Sequence, residues 1–158
     1  MLLPVYNALQ TKLNGIPNVQ HLDWFNDQYA GTIHAEPGIF IEFPEPIPTE
    51  ILRKNTQQGE LIIRIHVYSK AVAQIDKSID KTVIAKHFDI TEEVFQRLQG
   101  FRSADEDKLL FNSLDRTAFQ HHQYMQGWFV TTQDFECIIY DMKPEDTTPA
   151  PDALITIE

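Results

Sequence analysis

Apolar residues first fall at helical spacing at Val5, Tyr6, Leu9 and Leu13, which predicts an opening helix. Pro4 is tolerated in a first turn, and Asn14-Gly15 followed by Pro17 marks the stop. Residues 19–25 mix β-branched and aromatic residues around His21 and Asp23 and predict a first strand. Gly38 to Phe43 predicts a second, with Ile39, Ile41 and Phe43 on one face and Phe40 and Glu42 on the other; Pro44, Pro46 and Pro48 close it. Residues 50–59 read as a hairpin crossing or a long loop.

The clearest alternation follows: Leu61, Ile63, Ile65 and Val67 interleave with Ile62, Arg64, His66 and Tyr68. That strand has one face for the core and one for a helix, a partner subunit or water. From about residue 79 the period becomes helical through Ile79, Val83, Val94, Phe95 and Leu98. Thr91-Glu92-Glu93 has the chemistry of a helix start, and Gly100 that of a helix end, with 71–89 open between helix and loop. Two further strands are expected at 108–117 and 128–140, the second with a break near Gln133-Asp134. The expected fold is α+β: a mostly antiparallel sheet of about five strands packed with two or three helices. Residues 1–141 form a single domain in this reading, and 142–158 an acidic tail containing Pro144, Pro149 and Pro151, with Leu154 and Ile157 able to dock on a neighbour.

Composition narrows the function classes. With 158 residues, 42% hydrophobic and 23% charged, the chain can bury a core without disulfide or metal. The formal net charge of −10 disfavours a duplex-binding surface, which needs clustered cations. The start lacks a basic segment and a long apolar core, so no signal peptide is expected, and no apolar run reaches the length of a bilayer span. The reading places the chain in the cytoplasm.

Candidate chemistry is thin. Cys137 lies in a strand-like run beside Asp134, Glu136 and Asp141, which reads as a small buried hydrophobe with a raised thiol pKa. His121-His122 would point to opposite faces of a strand, unsuited to one metal, and reads as an exposed hairpin or loop. His34-Ala35-Glu36 and His66 would need the fold to bring them together before they served acid–base chemistry, and Asp105-Glu106-Asp107 reads as a solvated loop. Trp24, Phe25 and Tyr29, or Tyr124 and Trp128, lack the interleaved cations of a single-strand stacking platform. No nucleophile elbow or phosphate-cradling glycine loop is present. No cofactor, metal or catalytic residue is expected.

One resemblance goes further. The helix ending Asn14-Gly15-Ile16-Pro17-Asn18-Val19, the run Pro37 to Phe43, the strand Leu61 to Val67, the helix end Leu98-Gln99-Gly100-Phe101, the segment Leu114-Asp115-Arg116-Thr117 and the last strand Phe135 to Asp141 follow one another in an order that resembles small tail-completion and tail-terminator proteins of long-tailed phages and prophages. The likeness spans about residues 10–141. It implies a non-catalytic ring subunit, commonly a hexamer, that caps the tail tube and joins it to the head connector, in the host cytoplasm during assembly and then in the virion. The 70–90 segment and the Pro-rich tail depart from the pattern, leaving terminator, head–tail joining protein and other neck component open. The alternatives are a bacterial protein-binding adaptor of similar fold and a small hydrolase using His66, His121 or His122 with a carboxylate. A ring needs heterologous contacts that close. Exposed strand edges near 60–68 and the 49–59 loop are the expected places, giving Glu50, Leu52, Arg53, Gln57, Ile62, Arg64, His66 and Tyr68 as candidate interface residues.

Overall fold

The computed structural model describes residues 2–27, 35–44, 47, 49–53, 56–70, 80–105, 108–124 and 127–142, with side chains for all of these but 52, 53, 56, 104, 105, 108, 123, 124, 141 and 142. The described residues form two helices and eight strands: α1 (Leu2–Leu13), β1 (His21–Trp24), β2 (Gly38–Glu42), β3 (Thr49–Arg53), β4 (Thr56–Lys70), α2 (Lys81–Leu98), β5 (Ser103–Asp105), β6 (Lys108–Phe111), β7 (Asp115–Tyr124) and β8 (Trp128–Met142). They make an α+β fold on one mixed sheet, ordered β1-β2-β4-β8-β6-β5, with β3 also on β4 and β7 also on β8. Every pairing is antiparallel except β1 with β2. No described helix is long and apolar enough to cross a membrane.

β4 is the centre. Its alternation sends Leu61, Ile63, Ile65 and Val67 into the main core, where they meet Ile39 and Ile41 of β2 and Phe135 and Ile139 of β8. Both helices cover that face: α1 contributes Val5, Leu9 and Leu13, and α2 contributes Ile90, Val94 and Leu98. The strand expected at 61–68 is thus longer, and 50–59 resolves into β3 and the start of β4. Of the exposed edge expected near 60–68, the part from Arg64 to Tyr68 is covered on both sides. β8 pairs with β4 from Thr56 to Lys70, and β2 occupies the other side from Arg64 to Tyr68.

Three further expectations are corrected. The second helix begins at Lys81, not Thr91: the Asp80 carboxylate accepts from the Thr82 amide at 2.8 Å and caps it. Thr91 sits mid-helix, buried, its hydroxyl donating to the His87 carbonyl at 2.8 Å. β8 runs unbroken through Gln133-Asp134, because the polar Gln133 is fully buried and donates to the Thr91 carbonyl at 2.8 Å. The strand expected at 108–117 is two strands separated at 112–114, where the Asn112 amide donates to the Ile138 carbonyl and its side-chain oxygen accepts from the Ile138 amide. Asp105 ends β5, whereas Glu106 and Asp107 lie outside the described residues, as do His34, Tyr29, Ile79 and the tail from residue 143. Gly100 ends α2 as expected, at φ 76°.

The other face of the sheet carries a smaller apolar cluster of Phe40, Tyr68 and Val130. Phe40 stacks on Tyr68 with centroids 4.5 Å apart, and the Tyr68 hydroxyl donates to the Ala35 carbonyl at 3.1 Å. Gly38 lies opposite Tyr68 in the ladder, and a Cβ there would collide with the Tyr68 hydroxyl and the ring carbon that bears it. Gly38→Ala is therefore expected to cost about 2 kcal/mol or more through overpacking. In a Tyr68→Ala background the same change becomes nearly neutral, a coupling that urea unfolding of the four variants measures.

Candidate functional site

The eight interface candidates separate into two groups, because three lie in β3 and the other five are spread along the fifteen residues of β4. One group forms an arm of β3 and the start of β4. Glu50 is exposed and accepts from the Gln58 amide at 3.3 Å, and half-buried Gln57 pairs with Ile51 and Asp141 in the ladder. Leu52 and Arg53 lie in β3, their side chains outside the description. Ile51, which the sequence reading missed, is 70% exposed. Its signal was there to find: with Leu52 it makes an apolar pair in an otherwise polar stretch between Pro48 and Gly59. Thr49, Glu50, Gln58, Gly59, Glu60 and Ile138 line a shallow groove of about 280 Å³ beside it.

The second group sits on the sheet face opposite the main core. Glu42, Arg64 and Asp134 are ladder partners in one row across β2, β4 and β8. Arg64 grips Asp134 with two hydrogen bonds of 2.8 Å, and its other terminal nitrogen lies 3.9 Å from Glu42. This planar two-point geometry is the strongest form of ion pair a half-exposed arginine makes. His66 Nε2 is 2.8 Å from the Glu42 carboxylate, and Phe25 stacks on the imidazole at 4.2 Å. Burial holds the His66 pKa below the usual imidazole value, although Glu42 opposes it. His66 and Tyr68 are 5% and 1% exposed, so neither presents a surface to a partner. Ile62 is half-buried between the two groups, opposite Glu136.

The remaining histidines were missed as a group. His87, not singled out from sequence, joins α2 to the sheet: Nδ1 is 3.0 Å from the Ser69 hydroxyl and Nε2 2.7 Å from the Thr131 hydroxyl. His121 Nδ1 meets that same Thr131 oxygen at 3.1 Å, giving a chain Ser69–His87–Thr131–His121. A serine beside a histidine invites a catalytic reading. Ser69 is only 2% exposed and His87 fully buried, the far nitrogen meets a hydroxyl rather than an orienting carboxylate, and burial followed by the His121 charge pushes the His87 pKa down to about 4. The group is a neutral polar strut. His121-His122 lies within β7 of the β7–β8 hairpin, with His121 on the α2 side. Cys137 is buried, and burial pushes its thiol up to about 12. Among the described residues no group of three or more His, Cys, Asp or Glu could hold a metal.

No protein-family model matches the sequence, and no curated protein matches it. The fold is shared. A chain in the virion of a native gene transfer agent particle is similar in structure, with a TM-score of 0.51 and 11% identity, over 88% of this chain and 95% of that one. At that identity the likeness is one of fold.

Two predictions follow from these networks. Removing one partner of the Arg64–Asp134 pair leaves a half-buried charge, so Asp134→Ala is expected to cost about 2 kcal/mol and Asp134→Asn less, read as urea midpoints. For His87 the unfolded imidazole takes a proton as pH falls through 6.5, while the folded one resists until about 4. Stability is therefore complete above pH 6.5 and declines across that window by about 3 kcal/mol, and in His87→Gln this part of the decline disappears.

Proposed function

We propose that this chain is a non-catalytic structural subunit of a phage- or prophage-type neck or tail, forming a ring that completes the tail and joins it to the head. The observation that carries this reading is the fold shared along nearly the whole of both chains with a component of a gene transfer agent virion. The order of sequence segments that resembles tail-completion proteins supports it independently of that match. Two histidines and the cysteine support it too, since His66 and His87 are spent on internal hydrogen bonds and Cys137 is buried, all three where no substrate reaches.

On this reading the partners are further copies of the chain, the tail tube and the head connector. The working location is the host cytoplasm during assembly and then the particle. A ring that DNA passes through must not grip phosphate, and a net charge of −10 meets that condition. The β3–β4 arm, with Ile51 and Glu50 exposed, is the contact we assign to ring closure; Arg64, His66 and Tyr68, engaged by Asp134, Glu42, Phe25 and Phe40, are left out of it.

The test is mass in solution over a concentration series by light scattering behind a sizing column, alone and with a purified phage tail-tube protein, with negative-stain images of any large species. A closed ring of about six 18.3 kDa subunits is expected, and Ile51→Asp should abolish it without changing the unfolding midpoint. A monomer under both conditions overturns the reading.

A further inference from the structure

We propose that His121 works as a proton-operated latch between β7 and α2. Neutral, it ends a one-way hydrogen-bond chain that starts at Ser69; protonated, it lets go of Thr131 and turns out to solvent. The inference concerns the packing of α2 on the sheet and holds or fails apart from the virion reading.

Proton counting gives the chain its direction. The Ser69 hydroxyl is buried, and among the described residues its side-chain partner is His87 Nδ1, 3.0 Å away. A buried hydroxyl hydrogen without an acceptor is costly, so Ser69 donates and His87 Nδ1 is bare. His87, kept neutral by burial, then carries its hydrogen on Nε2 and donates to the Thr131 hydroxyl oxygen at 2.7 Å. Thr131 is fully buried, and its own hydrogen goes to His121 Nδ1 at 3.1 Å. Neutral His121 in turn keeps its hydrogen on Nε2. Run the other way, with His121 donating, the chain would leave the Ser69 hydrogen with no side-chain acceptor among the described residues.

The two ends of the chain differ in what they can do. Ser69, His87 and Thr131 are locked in the interior, whereas His121 is exposed beside Thr131, its ladder partner. A proton taken up by His121 lands on Nδ1, since Nε2 already holds one, and turns an acceptor into a second donor facing Thr131. Staying put would strand a buried hydrogen, either that of Thr131 or, if the chain reverses, that of Ser69. Leaving costs less: the imidazolium is hydrated at the surface, and water replaces it at the Thr131 hydroxyl. The departing ring gives up its contacts with Phe129 at 4.1 Å and Phe88 at 6.1 Å, the second of which ties β7 to α2.

The electrostatic surroundings favour release. Among the described residues the titratable groups bearing on His121 are His122, next to it on β7, and His87, from α2; β8 presents Thr131 and the Phe129 ring. No carboxylate of the described residues lies within ion-pair distance of His121 to hold the imidazolium in place. Burial first and the His122 charge second hold the His121 pKa below the usual imidazole value, so the latch is closed at neutral pH.

The test is NMR of the full-length chain labelled with nitrogen-15, read at the imidazole nitrogens from about pH 8 to about pH 5, the range in which histidines titrate. At the upper end His87 and His121 are both expected as Nε2–H tautomers, with ring contacts from His121 to Phe88 and Phe129 in NOE spectra. On acidification those contacts should vanish as His121 titrates, while His87 keeps its tautomer. Thr131→Val removes the hydroxyl that favours neutral His121, so His121 should bind its proton roughly threefold more tightly, and Thr131→Ser should restore the original midpoint. A neutral His121 bearing its hydrogen on Nδ1, contacts that survive the titration, a His87 tautomer that flips with His121, or a midpoint unmoved in Thr131→Val would each overturn the proposal. The first three are read on the unaltered protein, so they decide the matter even where a variant fails to fold.

Discussion

β4 has a hydrogen-bonding partner on the β8 side along all fifteen of its residues, and on the other side β3 and β2 take the two ends. A strand held on both sides cannot slip by one residue without turning every side chain to the wrong face. The core face then has to be Leu61, Ile63, Ile65 and Val67, and the opposite face Arg64, His66 and Tyr68. The helices settle on the first face, and the ion-pair row and aromatic stacks form on the second. Beyond this ladder lie the β3–β4 arm at one end and β7 on the far side of β8.

Much of that was legible along the chain, and what was not has a common cause. β2 and the middle of β4 announce themselves because their apolar positions alternate without interruption. The start of α2 stays open in the sequence because two of its buried positions, His87 and Thr91, are polar and interrupt the apolar period that Val83 begins and Val94 and Leu98 continue. Gln133-Asp134 looked like a break for the same reason. Each residue is satisfied by a group far away in sequence: Gln133 by the Thr91 carbonyl and Arg116, Asp134 by Arg64. A polar residue reads as surface until its partner is known, and the partner is a property of the fold.

The candidate surface shows the same division. Glu50 and Gln57 lie on an exposed arm, and their polarity was an adequate guide. Arg64, His66 and Tyr68 were indistinguishable from them in sequence, yet Asp134, Glu42, Phe25 and Phe40 claim them first. The exposed aromatics escaped notice for the converse reason. Phe88 neighbours buried His87 but points off the apolar stripe of α2, and Phe119 is one of many phenylalanines whose ordinary place is the core.

The β4–β8 ladder also has a consequence for how the molecule comes into being. Ile63 pairs with Phe135, so the central ladder closes a loop of about seventy residues that contains the whole of α2. Contacts so distant in sequence are slow to form, because the entropy of closure is spent before the ladder returns any stabilisation. On the ribosome the order is stricter still. β1 to β4 and α2 leave the exit tunnel while β8 is still unmade, and β4, with its apolar positions between Leu61 and Tyr68, waits with one side bare. A nascent chain in that condition is a template for its own neighbours on the same message. What opposes that pairing is the repulsion between copies that each carry a net charge of −10.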